Sequence, residues 1–278
     1  MSFTWDADPP PPGARLGVGG WLRAVARGVV LIAILLVGVL ATVMLRGVER
    51  VVYGLHRPWT PYITQWVCRA AFRVLGMRFE TVGTPMQEHG AVVANHSSWL
   101  DIFALNARKR IYFVSKSEVA GWPGIGTLAK ITGTVFINRD PKEAKAQKEI
   151  FEARLMAGHK LLFFPEGTST DGMRVLPFKS TLFQAFFTPH LEHDAHIQPV
   201  TLVYTAPDGE DARFYGWWGD MAFGPHLLKT LAARRQGSVK VVYHQPVRVD
   251  AFAGRKALAA HVEEVVRQGM PDERRNGA

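Results

Sequence analysis

An unbroken apolar run from Gly28 to Leu45, GVVLIAILLVGVLATVML, constrains the fold more than any other stretch of the chain. Its 18 residues carry no charge, and it is bracketed by Arg23 and Arg27 before and Arg46 and Arg50 after. Coiled into a helix rising about 1.5 Å per residue it covers about 27 Å, close to the thickness of a hydrocarbon core. The run starts too deep in the chain for a cleaved signal and lacks a small-residue cleavage site. A retained membrane segment is therefore expected in preference to a buried core helix. Arginines at both ends give no orientation through the positive-inside rule.

Before this run, DADPPPPGA makes residues 1–20 a proline-rich tail expected to be disordered. After it, RPWTPYITQWVCRAAFRVLG sets Trp59, Ile63, Trp66, Val67, Ala70 and Val74 on one helical face, with Arg69 and Arg73 toward the other. Such a stripe suits a soluble core or a lipid interface, and two tryptophans next to a membrane segment favour the interface. Residues 21–76 thus read as a membrane-anchoring two-helix segment. Residues 77–270 form the main domain, and 271–278 a frayed tail.

Within the main domain, short apolar runs alternate with helical stretches. Strands are expected at RFETV, AVVAN, IYFVS, TVFIN, KLLFF, IQPVTLVY and VKVVYHQPVRV. Helices are expected near 99–108, 141–157, 179–187 and 255–268, the second capped by Asp140 and opened by Pro141. The alternation predicts an α/β fold with a mixed, largely parallel sheet flanked by helices. A 47% hydrophobic content excludes a mainly disordered chain. The single cysteine, Cys68, excludes an internal disulfide and a CxxC redox pair. A net charge of +9 suits anionic lipid, nucleic acid or an acidic carrier protein.

Four short stretches could carry chemistry. In NHSSWLD, His96 leaves a strand and Asp101 enters the next helix, with Ser97 and Ser98 as possible caps. An aspartate so placed can fix the imidazole tautomer and leave the other ring nitrogen as a base. The bland reading is a helix N-terminus served by Asp101, and a His/Asp pair at this spacing arises by chance roughly once in such a chain. In KLLFFPEGTSTDG, a glycine permits close backbone approach to a ligand and Glu166 and Thr168 can bond hydroxyls. GTVFINR ends in Arg139, a residue suited to phosphate or carboxylate. QPV, at 198–200, is uninformative alone.

Taken in order, NHSSWLD, GTVFINR, FPEGTST and QPVTLV resemble the four blocks of glycerolipid acyltransferases of the lysophosphatidic acid acyltransferase type. The resemblance covers about residues 78–205 strongly, and the N-terminal helices loosely. It implies the glycerolipid acyltransferase fold over 77–270, and transfer of an acyl chain from acyl carrier protein or coenzyme A to the hydroxyl of a lysolipid. His96 would be the general base and Asp101 its orienting partner. Asn95, Lys116, Gly133, Phe136, Arg139, Glu166, Gly167 and Thr168 would hold substrate, and amides near Gly133 or Gly167 are candidates for stabilising the oxyanion. No metal or cofactor beyond the acyl donor is expected.

One departure matters. Where the third block usually continues with arginine, this chain has Ser169. Arg174 or Lys179 would have to replace that charge, or the acceptor lacks a phosphate. The expected acceptor is lysophosphatidic acid, with lyso-ornithine lipid, whose head group is an amino acid, as the alternative. The expected partners are membrane lipids and the acyl donor, without nucleic acid, and the expected location is a bacterial inner membrane with the main domain on the cytoplasmic side. Two competing classes are a zinc hydrolase built on HLEHDAH (His190, His193, His196) and a membrane-anchored lipid-binding protein without catalysis.

Overall fold

The computed structural model describes residues 5, 9–11, 16–138 and 144–275. Its strands are β1 (Arg78–Val82), β2 (Gly90–Ala94), β3 (Tyr112–Lys116), β4 (Val135–Ile137), β5 (Leu161–Phe163), β6 (His196–Thr205), β7 (Ser238–Tyr243) and β8 (Val247–Arg248). They form one sheet in the order β1-β7-β6-β2-β5-β3-β4, with β8 also on β6. Pairing is parallel except where β7 and β8 meet β6. The mixed, largely parallel sheet is the fold expected.

The sequence explains why β2 lies at the centre. GAVVA is apolar on both faces and every residue is buried, the pattern of a strand covered on both sides. Val92 and Ala94 enter one core cluster while Ala91 and Val93 enter the other. The expected strand VKVVYHQPVRV is instead two. Val200 pairs with Tyr243, yet Ile197 pairs with Val247, so one extra residue is inserted between β7 and β8. Neither Pro199 nor Pro246 has an N–H to give, and the ladder breaks there.

The helices of the domain are α3 (Leu100–Arg108), α4 (Ile125–Thr132), α5 (Ala144–Met156), α6 (Phe223–Ala232), α7 (Arg255–Gln268) and α8 (Asp272–Arg275). The expected cap at Asp140 and Pro141 lies outside the described residues. The helix expected over 179–187 is a 3-10 helix over Ser180–Phe186. Its three-residue period puts Phe183 and Phe186 on one side, where both are fully buried. The tail expected to fray carries α8, tied down by Arg274, whose Nη1 donates to Tyr204 O at 2.9 Å. No pattern in the sequence marked α4 or α6.

The N-terminal helices are α1 (Val18–Tyr53) and α2 (Thr60–Leu75). α1 is the one helix among the described residues long and apolar enough to cross a membrane, and Val29, Val30, Ile32, Leu36, Val37, Leu40 are exposed along it. α2 divides the stripe read from the sequence, burying Val67 and leaving Trp59 and Trp66 outside. It buries Val67, Cys68, Ala71, Phe72 and Leu75, while Trp59, Tyr62 and Trp66 stay exposed. Contact with the sheet's helix layer selects the first set, and the aromatics are left outside. The segment expected to be a disordered tail also holds structure: α1 starts inside it, and Trp5 is buried beside Trp218 with ring centroids 6.1 Å apart.

Candidate active site

β2 runs out at Ala94, and the chain turns through Ser97 and Ser98 into α3. That turn brings His96 Nδ1 to 2.7 Å from Asp101 Oδ2. The same oxygen accepts from the N–H groups of Ser97 and Ser98 at 2.9 and 3.1 Å. The second oxygen accepts from Tyr204 Oη–H at 2.8 Å. Asp101 is completely buried, so these four contacts are what make an ionised carboxylate tolerable there. Burial first, then the Asp101 charge, holds the Tyr204 phenol well above its usual range, which keeps it a donor.

The His96 ring is fixed from a second direction by stacking on Phe164, with centroids 4.1 Å apart and planes at 12°. About a fifth of its side-chain surface stays open. With Nδ1 directed at the carboxylate, Nε2 is the nitrogen left to act on a substrate. A neutral imidazole so held can take a proton from a hydroxyl and return it to a leaving group.

Glu166 does not sit where the sequence reading put it. Instead of facing an acceptor, it is buried and serves the backbone: Oε1 accepts from His96 N–H at 2.6 Å and Oε2 from Leu176 N–H at 2.9 Å. Burial pushes its carboxyl up to about 8, against the pull of those two N–H groups. Asn95 is likewise turned inward, its side chain bonding Leu202 N–H and O at 2.8 and 3.0 Å. Both residues hold the loop that carries His96. Neither offers its bonded atoms to a ligand.

Gly133 is at the wrong end of the sheet. It caps the C-terminus of α4 ahead of β4, and Val135 is in register with Val114. Parallel pairing then places Gly133 near the start of the strands, whereas His96 and Glu166 follow their ends. Phe136 and Lys116 lie farther along β4 and β3, toward the His96 edge. Arg139 lies outside the described residues. Of the amides near Gly133 and Gly167, those of the two glycines themselves are occupied: Gly133 N–H donates to Ala129 O and Lys130 O, and Gly167 N–H to Phe164 O.

Gly167 follows β5 at φ 73, and a side chain there would strike Lys179. Thr168 Oγ1 accepts from Trp5 N–H at 3.3 Å. Arg174 is held between Asp171, at 3.3 Å, and the Trp5 ring, 5.1 Å from its centroid. Both cations named as substitutes for the missing arginine therefore flank this loop. Sequence reasoning missed Tyr204, Phe164 and Trp5. The first two lie inside expected strands with nothing to single them out. The histidines of HLEHDAH diverge: His190 and His193 are exposed, His196 opens β6, and among the described residues no group of three or more metal-binding side chains forms.

Comparison with known proteins identifies the family. The family model described as Acyltransferase matches residues 68–203. The chain is 56% identical to a lyso-ornithine lipid O-acyltransferase of Rhodobacter capsulatus over 96% of both chains. It is 32% identical to a 1-acyl-sn-glycerol-3-phosphate acyltransferase of Neisseria gonorrhoeae, over 69% of this chain and 74% of that one. The solved 1-acyl-sn-glycerophosphate acyltransferase of Thermotoga maritima superposes with a TM-score of 0.58 over 89% of this chain and 95% of that one; at 22% identity it speaks for the fold.

Proposed function

Because the chain belongs to the acyltransferase family and is an acyltransferase of lysolipids, we propose that its acceptor is lyso-ornithine lipid and its product ornithine lipid. The observation that carries this choice is the relative 56% identical over nearly the whole of both chains, which is named for that acceptor. Ser169, in place of an arginine that a phosphate would use, points the same way. Lysophosphatidic acid, the acceptor the blocks alone favoured, is the second reading, supported by the Neisseria relative.

In the mechanism, His96 Nε2 takes the proton of the acceptor hydroxyl as its oxygen attacks the thioester carbonyl of an acyl carrier protein or coenzyme A donor. Asp101 holds the tautomer and stabilises the imidazolium. The tetrahedral oxyanion collapses, the C–S bond breaks, and the imidazolium returns the proton to the thiolate. No covalent acyl-enzyme is needed. Glu166 and Asn95 act as positioning residues, and Lys116, Phe136, Arg139, Gly167 and Thr168 remain the candidates for holding the substrates.

α1 supports a placement in one leaflet. Arg27, at the front of the apolar run, donates to Leu231 O and Ala233 O at the end of α6. Glu49, beyond its far end, accepts from the N–H groups of Trp59 and Thr60. Glu49 thereby holds the start of α2, and Arg57 just before it donates to Ile131 O of α4, so both ends of the run are tied to the folded domain and a perpendicular crossing would drag it into lipid. A helix lying along the interface, apolar side down, leaves it at the headgroups. We place the protein on the cytoplasmic face of a bacterial inner membrane.

The test is a side-by-side transfer assay in mixed micelles with lyso-ornithine lipid and lysophosphatidic acid. Wild type is expected to favour the first by at least about tenfold in kcat/KM, equivalent to one well-made contact to a charged group. Preference for lysophosphatidic acid would sink the acceptor assignment.

A further inference from the structure

A cleft lies away from His96, between the last turns of α1, the α1–α2 turn and α4. It encloses about 640 Å³, and Arg46, Arg50, Arg57 and Lys130 line it. Its position in the fold separates it from the catalytic end: it meets α4 at the last turn, Lys130 and Ile131, just ahead of Gly133 and the start of β4, while His96 follows the finish of β2.

The charge there is only partly compensated. Arg46 donates to Gly54 O and His56 O, and Arg57 to Ile131 O. Carbonyl oxygens satisfy hydrogen bonds but carry no net charge. The acid at hand is Glu49, 3.6 Å from Arg46, and its oxygens are already bonded to Trp59, Thr60 and the Thr60 hydroxyl. The C-termini of α1 and α4 supply about half a negative charge each. Four cations thus exceed their surroundings by roughly two charges. Burial first, then Arg46, holds the Arg57 guanidinium below its usual range.

The rim is apolar. Val43, Leu55 and Ile131 share the lining, and the exposed apolar flank of α1 and the exposed rings of Tyr53, Trp59 and Tyr62 stand around the same turn. Cations beside an apolar, aromatic-edged flank match a phosphate joined to acyl chains better than a phosphate free in water.

We propose that this cleft binds the phosphate of an anionic phospholipid head group, a lipid that is neither acceptor nor donor, and so docks the enzyme on acidic membrane. The site does not depend on which lysolipid is acylated. It would hold the α1–α2 turn at the headgroups, on the same interface along which α1 lies.

The experiment is co-sedimentation of the full-length protein with vesicles of phosphatidylcholine alone or with about a quarter phosphatidylglycerol. Arg50 and Lys130 are exposed, and neither supports the fold, so the R50Q/K130Q variant is the probe. It is expected to lose about thirtyfold in affinity for the acidic vesicles, from about tenfold or less per surface cation, and to bind neutral vesicles as wild type does. K240Q/K256Q removes the same charge from exposed positions on β7 and α7 and is expected to lose less than about threefold. Equal losses in the two variants would show diffuse attraction and overturn the site. If inorganic phosphate at about 10 mM binds the wild type without vesicles and cancels the gain from phosphatidylglycerol, the lipid assignment is overturned in favour of a free anion. Transfer to a micellar acceptor should be the same in R50Q/K130Q and wild type; a loss there would place the cleft in the catalytic machinery instead.

Discussion

The two ends of the sheet handle charge in opposite ways. Where the strands finish, Asp101 is buried under four hydrogen bonds and Glu166 under two, and four of these six go to His96, Ser97 and Ser98. Where the strands start, Arg57 and Arg154 crowd against Tyr112 and His159, with carbonyls and the His159 ring nitrogen for partners. The first arrangement holds atoms in place and is closed on itself. The second leaves charge over, which is useful only toward something outside the protein. Precision at one end and surplus at the other correspond to chemistry and to docking.

Asp101→Asn tests the closed end most severely. The amide cannot stabilise an imidazolium, and in one orientation it would present N–H groups to the Ser97 and Ser98 donors. Transfer activity is expected to fall at least about a thousandfold, the scale seen when such a partner is neutralised elsewhere, with the acceptor KM little changed. A drop under tenfold would mean that His96 does not work through this carboxylate.

Glu166→Gln should cost less, about tenfold in kcat, because the amide keeps one acceptor for His96 N–H or Leu176 N–H and loses the other. Its clearer signature is pH. With its pKa raised from an ordinary 4.5 to about 8, folded Glu166 binds a proton that the unfolded chain has released, so its stabilising contribution is complete below about 4.5 and is lost as pH rises through about 8. Melting curves of wild type and variant should diverge across that window, wild type weakening relative to the variant toward alkaline pH. Parallel curves would show that the carboxyl titrates normally.

What could be read from the sequence follows from how far each contact reaches along the chain. His96 and Asp101 meet because five residues make one turn into α3, a local event that a motif records. Tyr204 reaches Asp101 across 103 positions, and it does so because β6 lies beside β2, which no spacing encodes. Gly133 shows the converse. It belongs to a block with Phe136 and Arg139, but a strand rises about 3.3 Å per residue, so one end of a short motif can face the site while the other faces away. Glu166 was legible as important and not as buried, since an acid after a strand looks the same whether it meets ligand or backbone. Trp5, 163 positions from Thr168, sits in a stretch whose prolines promise no fold at all.

The smallest effect belongs to the opposite end and should have the opposite sign. Burial, followed by the charges of Arg154 and Arg57, lowers His159 from 6.5 to about 3. The unfolded chain therefore takes up a proton below about 6.5 that the folded chain refuses. His159 leaves stability intact above that pH and drains it as the medium is acidified toward about 3. In His159→Asn the acid limb should flatten by close to one proton, while activity at neutral pH stays within about twofold, because this histidine lies at the strand starts, away from His96. The unequal pair is the informative measurement. Glu166 weakens the fold toward alkali and His159 toward acid, so removing each should tilt the stability profile in opposite directions; two tilts of the same sign would mean that the strand ends do not differ in the way their charges indicate.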